Sequence, residues 1–333
     1  MTCPLLVSPT MKRRVFLLSA SSWAVSPTLV FAQQAFPSKP IRIVAPVQPG
    51  GGVDMVARTI AERLTVSIGQ SVLVENQGGG GGSVAAMATK RAAPDGYTLM
   101  LSYVGTHGTN PAVRKLAYDP IADFSHIAMI AGTPNVLVVP SSLAPSSFKE
   151  FIDLAKRNGG KMTYGSSGIG TLTHLLMEQL RLSVGFEMEH VGYRGIGPAI
   201  TDTIGGTTQA MFPGLAAGLP HIRSGRLKPL AVTGLKRHPV LPQTPTLEEL
   251  GLKGFDGVQW YGLSAPAGLP TPILARLNKE VNAILANEEV RNKLTIEALT
   301  VMPMSPVEFS SFIRADIAKW VRVAKERKIV IEE

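Results

Sequence analysis

Residues 41–75 read IRIVAPVQPGGGVDMVARTIAERLTVSIGQSVLVE, and the order of signals in this stretch decides the fold. Ile41 to Val47 is a β-rich run, Pro49-Gly50-Gly51-Gly52 a turn, and behind it Val56, Ile60, Leu64 and Ile68 recur at helical spacing. A second β-rich run, Val72 to Glu75, follows. Strand, glycine loop, helix and strand make a parallel βαβ unit.

The alternation continues down the chain. Gly78 to Gly82 precedes a helix from Ser83 to about Ala92, and Pro94-Asp95-Gly96 turns into a strand from Tyr97 to Ser102. Val136 to Val139 is an unbroken apolar run, as in a strand buried on both faces, and Ser147 to Glu150 spells a capping box. Met162 to Gly165 leads through a serine-glycine loop into a helix carrying Leu172, Leu176 and Leu180. Glu187 to Val191 leads through Gly192 to Gly197 into a helix with Pro198 in its first turn. Further strands are expected near Gln209–Phe212, Lys228–Thr233 and Val258–Ser264. Three helices close the chain: Thr271-Pro272 caps one, and Ser305-Pro-Val-Glu308 is a capping box for a long last helix with Phe309, Ile313, Ile317, Trp320 and Val321. This helical segment is expected to lie back across the first domain.

The chain has 333 residues, 45% of them hydrophobic, enough for two cores. Only 17% are charged, and Gly and Pro are dispersed between apolar runs, which excludes disordered and fibrous classes. The N-terminus reads as an export signal: basic Lys12, Arg13 and Arg14, an apolar Val15 to Val30, and Val30-Phe31-Ala32 before a mature start near Gln33. Met11 is an alternative start, and the twin arginines leave both the general secretory and the twin-arginine route open. Cys3, the single cysteine, precedes the cleavage site, so disulfides, thiolate metal sites and a lipidated cysteine are excluded from the mature chain. Loss of Lys12, Arg13 and Arg14, the only charges before Gln33, lowers the formal charge from +9 by three. The remaining excess is dispersed, with no basic-aromatic run to read as a nucleic-acid surface.

Four strand-to-helix loops are rich in glycine: Pro49–Gly52, Gly78–Gly82, Ser166–Thr171 and Gly192–Gly197. Glycine lets backbone amides approach a ligand, and the helix start behind each loop adds unpaired donors and a positive dipole end, a chemistry suited to a carboxylate. The hydroxyls of Ser166, Ser167 and Thr171 add donors. No phosphate-loop motif occurs, and Gly80-x-Gly82-x-x-Ala85 matches a dinucleotide fingerprint only because it lies in a run of five glycines. The six histidines are too dispersed for a local metal motif; His107, behind Gly105-Thr106, and His174 are the two placed to reach a cleft. A hydrolase would need Ser166 or Ser167 activated by His174, but the G-x-S-x-G elbow and an orienting carboxylate are lacking. Asp54 is either a helix cap or a group that shapes the site.

Pro37-Ser-Lys-Pro40, Pro49-Gly-Gly-Gly-Val-Asp54, Ala93-Pro-Asp-Gly-Tyr97, Tyr118-Asp-Pro120 with Asp123-Phe124, Gly165-Ser-Ser-Gly168 with His174, Tyr193-Arg-Gly195 and Ala265-Pro-Ala-Gly268 follow one another in order. Together they resemble the Bug family, the TctC-like receptors of tripartite tricarboxylate transporters. The resemblance implies an α/β, two-domain periplasmic binding protein of the Venus-flytrap, type II-like kind, with two interdomain crossings and a C-terminal helical segment. Residues 1–32 are then the signal peptide, 33–135 with 258–333 the first domain, and 136–257 the second.

It also implies a periplasmic receptor for a small organic acid, monomeric, serving membrane permease subunits, with no cofactor, no metal, no catalytic residue and no nucleic acid. The expected ligand-binding residues are Gln48, Gly50, Gly51, Gly52, Asp54, Thr106, His107, Ser166, Ser167, Gly168, Ile169, Gly170, Thr171, His174, Tyr193 and Arg194. Arg194 stands where related chains often carry Lys. Ile169 in place of a polar residue, Gln48, and Met211-Phe-Pro-Gly214 without an Asp depart from the family pattern and point to an acid with an apolar or aromatic body. An exported hydrolase or its accessory, and a ligand sensor signalling to a membrane partner, are the alternative functions.

Overall fold

The computed structural model describes residues 36–50 and 52–331. The export signal, its cleavage site, Cys3 and Gly51 lie outside them. The chain first forms β1 (Ile41–Ala45), α1 (Gly52–Ile68), β2 (Val72–Asn76), α2 (Ser83–Lys90), β3 (Thr98–Tyr103), α3 (Asn110–Val113) and β4 (Phe124–Pro134). Next come β5 (Val136–Pro140), α4 (Phe148–Asn158), β6 (Thr163–Ser166), α5 (Leu172–Val184), β7 (Glu189–Gly192), α6 (Ile196–Ile204), β8 (Ala210–Met211), α7 (Leu215–Arg223) and β9 (Leu227–Val232). It ends with β10 (Val258–Pro266), α8 (Thr271–Ala286), α9 (Glu288–Ile296), β11 (Thr300–Val301) and α10 (Pro306–Glu326).

These strands make two sheets with one plan. The first runs β11-β4-β10-β3-β1-β2, the second β7-β6-β8-β5-β9. β1 lies between its parallel neighbours β2 and β3, and β6 between its parallel neighbours β7 and β8. β10 closes the first trio and β5 the second, each antiparallel. The strand order therefore reverses beside β1 and beside β6, and the crevices at the carboxyl ends of those strands are where such sheets take ligands. Only Asn135 separates β4 of the first sheet from β5 of the second, and the return runs between β9 and β10.

Val56, Ile60, Leu64 and Ile68 of α1 are all buried, as their spacing requires. Several details differ from the sequence reading, among them the short α3 and β11 and the helix α7, which it did not expect. β4, eleven residues long, stands where no strand was expected: its run from Ile127 to Ala131 is buried on both faces and so shows no alternation. Thr271 does not cap α8; Pro270 holds the cap position and no side chain bonds there. At α4, Ser147 accepts from the Glu150 amide at 3.2 Å, but the Glu150 carboxylate reaches back one residue further, to the Ser146 amide. At α10 both halves of the Ser305–Glu308 box are present.

The core is not two separate hearts. One apolar cluster contains Met129, Trp260, Phe309, Ile313 and Trp320 from the first sheet and α10 together with Leu137, Tyr164, Leu175, Leu176 and Leu180 from the second. The reason is α10, which packs on β4 and α3 and also on α5. Gly262 makes its approach possible: a Cβ there would lie 2.2 Å from the Phe309 ring and 3.0 Å from the Ala128 carbonyl.

Candidate functional site

A cavity of about 680 Å³ lies between the two sheets. The first lobe contributes Val47, Gly50, Gly52, Val53 and Met55 around the start of α1, Gln259 and Tyr261 of β10, and Glu297 and Leu299 of the turn after α9. The second contributes Ser167 and Thr173 at the start of α5, Ile196 at the start of α6, and Gly214, Ala216 and Ala217 at the start of α7. Thr133, next to the crossing, completes the wall. Four helices thus begin at one cavity. Their first amides have no intrahelical acceptor, and their dipoles place positive potential there. Among the described lining residues none is Lys, Arg or His.

The loop before α1 is shaped by Asp54, which is buried and accepts from the Gly50 amide at 3.0 Å, from Asn76 Nδ2 at 2.8 Å and from Arg58 Nε at 3.0 Å. Burial alone would raise its pKa, but the bonds from Arg58, Gly50 and Asn76 hold it below the ordinary carboxylate value. Its oxygens are spent inside the protein, so it shapes the loop and offers a ligand no acceptor. Gly50 takes a φ of 94°, in the region that favours glycine, and at Gly52 a Cβ would stand 3.0 Å from the Tyr261 hydroxyl. Burial raises the pKa of the Tyr261 phenol, keeping it a neutral donor facing the cavity. Replacing Asp54 by Ala strands the Gly50 amide and Asn76 and is expected to cost roughly 1–3 kcal/mol, read as a lower urea midpoint.

The loop after β6 is held from behind. Ser166 is fully buried and shares a hydrogen bond of 2.6 Å with His190 Nε2, while the Gly168 amide donates to its hydroxyl. His174 accepts from the Gly170 amide at 3.1 Å and stacks on His190 with ring centres 3.8 Å apart. Ser167 alone of this loop reaches the cavity, where its hydroxyl and that of Thr173 lie 2.9 Å apart. Ser166 thus pairs with His190 and not with His174, and its hydroxyl lies beneath the loop, out of reach of a substrate.

Of the expected ligand residues, Gly50, Gly52 and Ser167 line the cavity. Asp54, Ser166, Gly168, Gly170, Thr171 and His174 build the loops behind it. Thr106 and His107 are buried in the first lobe, with Thr106 bonded to Tyr103 and His107 packed on Phe124 and His126. Gln48, Ile169 and Arg194 are exposed and do not line the cavity, and the Tyr193 hydroxyl donates to Asp202. The glycine run 78–82 is likewise elsewhere: the Gly81 carbonyl accepts from Asn110 in front of α3. Thr173, Gly214, Ala216, Ala217, Gln259 and Tyr261 escaped the sequence reading. For Gly214, Ala216 and Ala217 the Pro213-Gly214 turn was a visible signal, a fifth glycine turn opening a helix.

Twin sheets of one topology, a cavity at both reversal points and helix starts aimed into it define a solute receptor of the periplasmic binding-protein class. The chain belongs to the tripartite tricarboxylate transporter receptor family, TctC, whose model matches residues 56–329. Protein BugT of Bordetella pertussis is 33% identical over 294 residues, covering 87% of this chain and 90% of its own. Among solved structures, Rpa4515 of R. palustris with adipate is 35% identical with a TM-score of 0.80, over 89% of this chain and 99% of the other. MatC of Rhodopseudomonas palustris with bound malate is 32% identical with a TM-score of 0.76, over 86% and 99%.

Proposed function

We propose that the protein captures a small organic carboxylate in this cavity, releases it unchanged and delivers it to the membrane permease subunits of a tripartite tricarboxylate-type transporter. Four helix starts around one cavity, with no Lys, Arg or His among its described lining residues, carry the reading: backbone amides and the hydroxyls of Ser167, Thr173 and Tyr261 supply the donors an anion needs. The receptor works as a monomer in the periplasm, sent there by the segment 1–32. Residues 33–135 with 258–333, and 136–257, act as two domains that close over the ligand about the crossings at Asn135 and before β10. The adipate and malate carried by relatives agree with the ligand class.

Thermal unfolding against mono-, di- and tricarboxylates, aromatic acids and amino acids tests this. An acid present at about 100 times its dissociation constant adds about 2.7 kcal/mol, a clear melting shift, and is recovered intact. A melting point unmoved by every acid, or an acid consumed, overturns the reading.

A further inference from the structure

The turn that carries Glu297 breaks two local rules at once. Glu297 caps the carboxyl end of α9, the negative end of the dipole, where an acid is disfavoured. Ala298 follows with a φ of 53°, in the left-handed region that glycine normally fills. The turn is nevertheless tightly made: the Ala298 amide donates to the Thr295 carbonyl and the Leu299 amide to the Leu294 carbonyl, both at 2.9 Å. The Ala298 methyl is fully buried in the cluster of Val136, Leu215 and Leu219 from the second lobe. Helix stability explains neither residue, and such conflicts gather at functional positions. Both neighbours of Ala298, Glu297 and Leu299, line the cavity.

Glu297 is the one carboxylate among the described lining residues, which otherwise are apolar (Val47, Val53, Met55, Ile196 and Leu299), small, or uncharged polar groups such as Thr133, Gln259 and Tyr261. The donors for an anion come from the helix starts. Beyond the donors that the first carboxylate takes, a second one would meet a like charge and no cation among the described lining residues. We infer that Glu297 is a specificity residue that excludes a second carboxylate, so that the ligand is a monocarboxylate with an apolar body whose far end is neutral or an ammonium group. This rests on the carboxylate-receptor reading and departs from the dicarboxylates carried by the two relatives.

Calorimetric titration with matched pairs tests it: butyrate and succinate, hexanoate and adipate, benzoate and terephthalate, with 6-aminohexanoate added, against the wild type and Glu297→Gln. Glu297 is exposed, so the variant is expected to fold, with its melting temperature as the control. In the wild type the best monoacid or amino acid binds at least about tenfold more tightly than its diacid partner, and Glu297→Gln closes that gap by roughly tenfold by strengthening the diacid alone. A wild type that prefers the diacid, or a mono-to-diacid ratio unchanged by the substitution, overturns the role of Glu297 while leaving the receptor reading intact. Failure of every acid to bind either protein overturns both.

Discussion

Between pH 7 and pH 5 the folded protein is expected to lose on the order of 6 kcal/mol of stability or more, and to unfold in acid before most of its carboxylates titrate. Three buried histidines, His107, His126 and His174, and the half-buried His190 drive this. Burial pushes His126 and His190 down to about 4 and His174 to about 3, and it holds His107 well below the ordinary value, helped by the neighbouring His126. The surrounding charges do not rescue the protonated forms. His126 faces Arg314; His174 and His190 face each other and Arg181, and the attraction of Glu178 is smaller than the burial cost. A folded pKa below the unfolded value near 6.5 means that the unfolded chain binds more protons in this window. Stability is therefore complete above about 6.5 and falls as the pH drops, by up to about 1.4 kcal/mol per pH unit for each histidine. By pH 5 His126, His174 and His190 have each cost about 2 kcal/mol, and His107 adds in the same direction, so together they take a large part of the roughly 5–15 kcal/mol a protein of this kind holds. Urea unfolding at pH 7, 6 and 5, followed by the fluorescence of the buried Trp260 and Trp320, gives the slope. A midpoint that does not move between pH 7 and pH 5 contradicts the account. His190→Gln, which can keep the bond to Ser166, is expected to lower the slope by about one histidine's share.

The same histidines show where reading the sequence stops. Period carries far: the α1 stripe and the Ser305–Glu308 cap are local patterns, and both stand in the structure as read. Partnership across the fold does not travel in a window. Ser166 meets His190 because β6 and β7 pair in parallel with Ser166 opposite Gly192 and Tyr164 opposite His190, a register that no spacing along the chain encodes. The place of the β1 loop at the cavity was legible because glycines mark it, whereas Tyr261 and Gln259 sit in an apolar strand with nothing to set them apart. β4 hid for a related reason, since a strand covered on both faces has lost the alternation by which strands are recognised.

Asp316→Ala is expected to cost roughly 3–5 kcal/mol. The side chain is buried between β10 and α10, where Oδ2 accepts from Trp260 Nε1 at 2.8 Å and Oδ1 from Trp320 Nε1 at 2.9 Å. Lys319 adds an ion pair at 2.9 Å while lying over the Trp320 ring. Truncation leaves two indole N–H groups without acceptors in the cluster that joins the lobes, at about 1–3 kcal/mol each. Lys319, partly exposed, can turn to water and adds less. Asp316→Asn keeps one acceptor but turns an NH₂ group towards the other indole, so its loss should be smaller and still above about 1 kcal/mol. A loss below about 1 kcal/mol for the Ala variant would show that the two indoles find other partners. The consequence for function follows from the pleat of β10. Trp260 points to α10, and its neighbours Gln259 and Tyr261, one step to either side, point to the cavity. The strand that binds α10 with one face lines the cavity with the other. Variants of Asp316 should therefore melt earlier yet keep the wild-type order of ligands in the thermal panel. A reordered panel would mean that α10, through Asp316 and Trp260, also sets the position of Tyr261 in the site.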